Sequence, residues 1–128
     1  MKTNEVLENI KARRSVRAYT DRQLSEEDLM AIVEAGAYAP NGMHYETWHF
    51  TAIQNQDKLA ELNKHIKGAF AKSEDARLQE RGHSETYCCY YHAPSLVIVS
   101  NEPTQWWAPM DCACAIENMF LAAQSLGI

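Results

Sequence analysis

Only two short stretches of this chain have the pattern of β-strands, and they lie far apart. "WHFTAI", residues 48–53, alternates and is rich in aromatic and β-branched side chains. "SLVIVS", 95–100, follows Pro94 as a short apolar run, the pattern of a fully buried strand. The other regular apolar spacings are helical. Asn4 is placed to cap a helix running to about Arg13, with Val6, Leu7 and Ile10 on one face. "SEED" at 25–28 resembles a capping box, and Leu29, Met30, Ile32, Val33 and Ala37 face inward until Pro40 ends that helix. Leu59, Leu62, Ile66 and Phe70 mark a third helical face. A fourth helix is expected to start at Asp111 as its cap and to turn Ala115, Ile116, Met119, Phe120, Ala123 and Leu126 inward, with Gly127 as the C-cap glycine. Residues 72–91 begin charged and end aromatic, and read as a helix pair or a mobile lid.

This order does not alternate as a dinucleotide-binding unit does. The glycines at 36, 42, 68, 82 and 127 never form G-x-G-x-x-G, and no G-x4-G-K-[ST] occurs. A few strands covered by long helices predict an α+β fold. A stable sheet usually needs three or more strands, so further strands are expected from elsewhere or from chain beyond Ile128.

The 128 residues fit one domain spanning 1–128. The net charge of −5 argues against a general binder of nucleic acid or anionic membrane, which would need a broad basic face. The apolar runs are too short to span a bilayer, and the polar start has no signal-peptide block, so a cytoplasmic protein is expected. The four cysteines, at 88, 89, 112 and 114, are spaced C-C and C-x-C, unlike the paired C-x2-C of zinc sites. They read as reduced thiols, with two on a buried helix face; a thiol or metal site using Cys88, Cys89 and His92 is the alternative.

Three stretches can carry chemistry. "RRSVR", 13–17, gathers three arginines in five residues of an acidic chain. Arg13 and Arg14 could simply complement the negative end of the first helix. Alternatively, Arg13, Arg14, Ser15 and Arg17 form an anion pocket, since guanidinium forks match phosphate oxygens and a hydroxyl adds a neutral donor. "APNGMHYETWHF", 39–50, places a turn at Asn41-Gly42, where glycine lets a ligand approach the backbone, ahead of His44, Tyr45, Glu46 and Trp48. It is either a helix-to-strand connector or a binding loop. "DCACAIENMFLAAQSLG", 111–127, is a core helix whose Glu117 and Asn118 are exposed or bond to another helix.

Together these stretches resemble the FMN-dependent nitroreductase family. Arg13-Arg14-Ser15-Val16-Arg17 is similar to its R-[RH]-S-x-R signature. The 39–50 stretch resembles its A-P-S-x-x-N-x-Q-P-W-x-F loop, "HAPSLVIV" its strand, and the last helix its D-x3-A-x-x-N-x-x-L-A-A-x-x-L-G pattern. His44, Glu46 and Thr47 stand where asparagine, glutamine and proline are usual. A carboxylate facing a flavin ring would disfavour the anionic reduced form, which sets Glu46 apart from the direct contacts.

The resemblance implies an α+β fold with a mixed or antiparallel sheet flanked by helices, and an intertwined homodimer with FMN at its interface. It implies that Arg13, Arg14, Ser15 and Arg17 hold the FMN phosphate and ribityl end. Pro40, Asn41, Gly42 and His44 would reach the flavin of the partner subunit, with Asn63 and Lys67 as further contacts. No side chain would be the catalyst: FMN would take hydride from NAD(P)H and reduce a small-molecule acceptor such as a nitro compound or quinone. The alternatives are a flavin-binding or storage protein, or a fragment that only dimerises. Members of the family continue past the last helix with a ring-contacting loop, a strand and a terminal basic residue, so the domain is expected to be C-terminally incomplete at Ile128.

Overall fold

The computed structural model describes residues 2–128. In chain order the elements are α1 (Glu5–Ala12), α2 (Glu26–Ala37), a 3-10 turn (Gly42–His44), β1 (His49–Ile53), α3 (Gln56–Phe70), α4 (Ala76–His83), β2 (Leu96–Ser100) and α5 (Ala108–Ser125). β1 and β2 pair in a two-stranded sheet, and the fold is α+β.

Local chemistry sets most helix ends. Asn4, Ser25, Asn55 and Asp75 each accept a hydrogen bond from a backbone N–H in the first turn of α1, α2, α3 and α4. At the far end of α5, Gly127 adopts φ +72°, and the N–H groups of Gly127 and Ile128 donate to the carbonyls of Gln124 and Ala123. That is the glycine-terminated C-cap the sequence predicts. The 72–91 stretch supplies one helix, α4, followed by turns.

The residues group into two compact units. The first comprises 1–15, 24–51 and 97–128. Here α2 packs along α5, burying Leu29, Ile32, Ala108, Ala115 and Met119. Gly36 makes this close approach possible, because a Cβ there would lie 2.9 Å from the Phe50 ring and 3.0 Å from Met119. Two amides tie the helices: Asn118 Nδ2 donates to the Ala35 carbonyl at 3.1 Å, and Asn9 Nδ2 to that of Leu121 at 2.9 Å.

The second unit comprises 16–23 and 52–96. α3 packs on α4, and Leu59 of α3 is fully buried, with Cys88 and Ala93 as the unit's other buried apolar residues. At Gly82 the α4 backbone meets Ala71 so closely that a Cβ would run into its backbone, and would sit 2.8 Å from the Lys67 carbonyl oxygen.

Five expectations need correction. Asp111 does not cap α5: the helix begins three residues earlier, with Pro109 in its first turn, and Asp111 is buried inside it. Proline is pre-set for a first turn and needs no hydrogen bond there. The inward face of α5 therefore runs Ala108, Asp111, Ala115, Met119, and Phe120 and Leu126 turn out to be exposed. On α2, Met30 and Ala37 are likewise exposed. β2 is half-buried rather than fully buried, because a two-stranded sheet leaves part of each strand uncovered. On the α5 cysteine pair, Cys112 is half-buried and Cys114 exposed; the buried thiol is Cys88.

Candidate functional site

The arginine cluster follows directly from the end of α1. Arg13 is the C-cap residue, and its backbone N–H closes onto the Asn9 carbonyl. Its guanidinium lies 3.4 Å from Glu117 of α5 and 6.0 Å above the Phe120 ring. An exposed pair of this kind contributes about 0.2–1 kcal/mol, so it positions the cation without cancelling it. Arg14 Nη1 donates to the carbonyls of Lys11 and Arg13, which is the helix-end role, and leaves its other N–H groups facing solvent. Ser15 is exposed. Arg17 falls in the second unit.

The 39–50 loop is a built structure and not a slack connector. Asn41 Oδ1 accepts the Glu46 N–H at 3.0 Å, and the buried Asp111 carboxylate accepts the Gly42 N–H at 3.0 Å. Met43, His44 and Glu46 all have positive φ, at 56°, 56° and 51°. Non-glycine residues in this region cost about 1–2 kcal/mol each, and the Asn41 and Asp111 bonds supply part of what holds them. Gly42 does permit a close approach, but the group that approaches is the Trp107 indole, which occupies the place a Cβ would take. Tyr45 stands beside the same indole at 6.5 Å between ring centroids. Around the loop is a cavity of about 460 Å³ lined by Tyr38, Pro40, Asn41, His44 and Glu46, among others. His44 Nδ1 lies 3.5 Å from the Glu46 carboxylate. Sequence reasoning missed the supporting pair Asp111 and Trp107; both are far along the chain, and only folding brings them under Gly42.

In the second unit Asn63 uses both ends of its amide on backbone. Nδ2 donates to the Tyr87 carbonyl at 3.2 Å, and Oδ1 accepts the Cys89 N–H at 3.0 Å. This fixes the 87–89 turn on α3. Lys67 is half-buried on the same helix. A second cavity, of about 590 Å³, is lined by Arg17, Arg77, Arg81, Tyr91 and His92 together with Glu80, Ser84, Thr86, Tyr87 and Cys88. Tyr91 and His92 are another consecutive pair with positive φ, 52° and 57°. Arg77 and Arg81 lie four residues apart and share one face of α4, a signal legible once 76–83 is read as a helix.

Two of the thiols, Cys89 and Cys112, are poorly suited to nucleophilic work. Burial, and then the neighbouring Cys88, pushes the Cys89 thiol up, and burial followed by the Asp111 carboxylate does the same to Cys112. Cys88 Sγ accepts the His92 N–H at 3.3 Å. Among the described residues no group of three or more His, Cys, Asp and Glu side chains is placed to hold a metal ion. Nor is any described helix long and apolar enough to cross a membrane.

The family model of the nitroreductase family matches residues 10–128, and the chain belongs to that family. A Bacteroides fragilis nitroreductase solved with bound FMN is 79% identical and superposes with a TM-score of 0.95, covering 98% of this chain and 67% of that one. A nitroreductase with bound FMN from Desulfitobacterium hafniense is 32% identical with a TM-score of 0.87, covering 98% of this chain and 68% of that one. An Archaeoglobus fulgidus protein, provisionally named NADH dehydrogenase/NAD(P)H nitroreductase, is 34% identical over 97% of this chain and 64% of its own length. The chain thus spans about three fifths of the length of curated relatives that it matches.

Proposed function

We propose that this chain is part of an FMN-dependent NAD(P)H oxidoreductase that reduces nitro compounds, quinones or similar acceptors. The observation that carries the reading is its near-complete overlay on the FMN-bound Bacteroides structure at 79% identity. The residues present fit such a cofactor. Arg14 and Ser15 expose donors, and Arg13 is held only by an exposed ion pair that a phosphate dianion can outcompete. In this reading Arg13, Arg14, Ser15 and Arg17 hold the phosphate and ribityl end. Pro40, Asn41, Gly42 and His44 are the candidates that reach the flavin of the partner subunit, with Asn63 and Lys67 as further contacts. Bound there, FMN supplies hydride acceptance from the nicotinamide and electron delivery to the acceptor. The chain's own part is to bind and orient, with the loop at Asn41–Glu46 held rigid by Asp111 and Trp107. The free thiols support a reducing, cytoplasmic setting.

A homodimer belongs to the same proposal. Val6, Leu7, Ile10, Phe120 and Leu126 leave an exposed apolar band on α1 and the end of α5, which supports burial against a second copy. Light scattering of the purified protein should give twice the chain mass; a monomer at micromolar concentration removes this part.

The cofactor test is direct. Purified protein should carry a blue-region flavin band, and Arg13→Ala or Ser15→Ala should weaken FMN retention by about tenfold with little change in melting temperature. Unchanged affinity in both variants returns these residues to the helix-end role. With donor and acceptor using one flavin face, double-reciprocal plots should be parallel, the ping-pong pattern. Intersecting lines point instead to a ternary complex.

A further inference from the structure

We propose that the cavity in the second unit is an oxyanion subsite for the charged end of a reactant, a phosphomonoester or a carboxylate. The inference names the reactant chemistry of the reading above and rests on it. It begins from charge. The first unit carries four Lys/Arg against ten Asp/Glu, whereas the second carries eight against seven, so the units are net −6 and +1. Within the second unit, three of the chain's six arginines line one cavity, with Glu80 as its single carboxylate.

Among the described residues, two of the three guanidinium groups have no carboxylate partner, and the third, Arg77, is paired with Asp75. Arg81 lies 5.8 Å over the Tyr87 ring, a cation–π contact that uses none of its N–H donors. Among the described residues neither Arg81 nor Arg17 has a carboxylate within ion-pair distance. Arg77 is anchored to Asp75, the α4 cap, at 3.2 Å. Ser84 adds a hydroxyl to the wall.

The backbone gives an independent indication. Tyr91 and His92 both sit in the left-handed region and both line this cavity. They are held there by N–H bonds to Cys88, from Tyr91 to its carbonyl oxygen at 3.2 Å and from His92 to its sulfur at 3.3 Å. Two adjacent strained residues facing one cavity are a feature of ligand-clamping segments. The volume of about 590 Å³ lies within the range of small-molecule sites.

Two reactants of the proposed reaction can bring an oxyanion: the nicotinamide, as a ribose 2′-phosphate, and the acceptor, as a carboxylate. Calorimetric titrations separate them without requiring turnover. NADP⁺ and NAD⁺ differ by the phosphate, and 4-nitrobenzoate and nitrobenzene by the carboxylate. Each ligand is titrated into the wild-type protein, Arg81→Gln and Arg77→Gln, with FMN content measured in parallel. One ligand bearing the extra oxyanion should bind the wild type about tenfold more tightly than its counterpart without it, and Arg81→Gln should remove that preference. Arg77→Gln should reduce it and covers the case in which Arg81→Gln fails to fold, since the Arg77 side chain is 87% exposed. A preference within the first pair assigns the subsite to the donor, and one within the second to the acceptor. No preference in either pair, or a preference that survives both substitutions, overturns the proposal. A fall in FMN content that tracks Arg81→Gln also overturns it, because the anion would then be the cofactor's own phosphate. A protein without flavin that still discriminates upholds the subsite while the oxidoreductase reading fails.

Discussion

The cavity beside Asn41–Glu46 and the cavity beside Arg77–His92 share a backbone device and differ in charge. Each has a consecutive non-glycine pair with positive φ beside it: of Met43–His44, His44 lines the first cavity, and both Tyr91 and His92 line the second. The first pair is flanked by bonds to an amide and a buried carboxylate, from Glu46 N–H to Asn41 and from Gly42 N–H to Asp111, and the His44 ring faces the Glu46 carboxylate. The second is held by N–H bonds to the Cys88 carbonyl and sulfur and faces arginines. The same backbone device thus stands beside walls of different charge. The comparison also shows what a total charge hides. A value of −5 argues against a broad basic surface, yet it is the sum of one strongly acidic unit and one near-neutral unit with a local cationic wall.

The comparison can be broken most severely at the two crowded glycines. Gly82 faces backbone, which cannot rotate away, whereas Gly42 faces one indole ring, which can tilt. Gly82→Ala should lose about 2 kcal/mol, being an overpacking cost of about 3 offset by about 1 of helix propensity. Gly42→Ala should lose about 1 kcal/mol and shift tryptophan fluorescence as Trp107 moves. Urea unfolding of both variants checks the order; equal losses would mean that the Trp107 ring is as fixed as backbone.

Met43→Gly sharpens the strain argument. It removes a left-handed side chain, worth about 1–2 kcal/mol, and adds glycine's chain entropy, worth about 0.5–1. A gain of about 0.5–1 kcal/mol is expected by denaturant titration, since Met43 is 73% exposed and contributes little packing. A loss would show that the loop is held by a Met43 contact and not by Asn41 and Asp111.

The smallest effect concerns acid. Arg77 holds the Asp75 carboxyl below its ordinary value, first through the side-chain bond and then through the Arg77 backbone N–H. A lowered carboxyl favours the fold above its ordinary range and loses that contribution as pH falls through the lowered value. Asp75→Asn keeps a capping side chain without the charge. The wild type and Asp75→Asn should differ slightly in melting temperature at neutral pH and converge in acid. A gap that widens on acidification would reverse the sign.

Legibility followed locality. Asn4, Ser25 and Gly127 were readable as helix ends because a cap involves residues within one turn of each other. The family was readable because its motifs are short runs in fixed order, Arg13–Arg17, 39–50 and 111–127, and the match over 10–128 agrees. The same locality explains the error at Asp111: a residue that suits a cap by type was drawn into the helix interior to accept the Gly42 N–H, 69 positions away. Phe120 was placed inward by hydrophobicity alone, but the face of α5 that packs on α2 is set by Ala115 and Met119, whose size and spacing fit beside Gly36.

What the sequence determined alone was four of the five helices, the two strands, the absence of a glycine-rich nucleotide loop and the family. These depend on spacing along the chain, and periodicity carries that information. Only the tertiary structure decided which arginines share a wall. Arg17 and Arg81 are 64 positions apart, yet they line one cavity, while Arg13, four residues before Arg17, pairs with Glu117. Electrostatic neighbourhoods depend on distance through space, and that distance is fixed by packing at positions such as Leu59 and Gly82 that carry no charge at all.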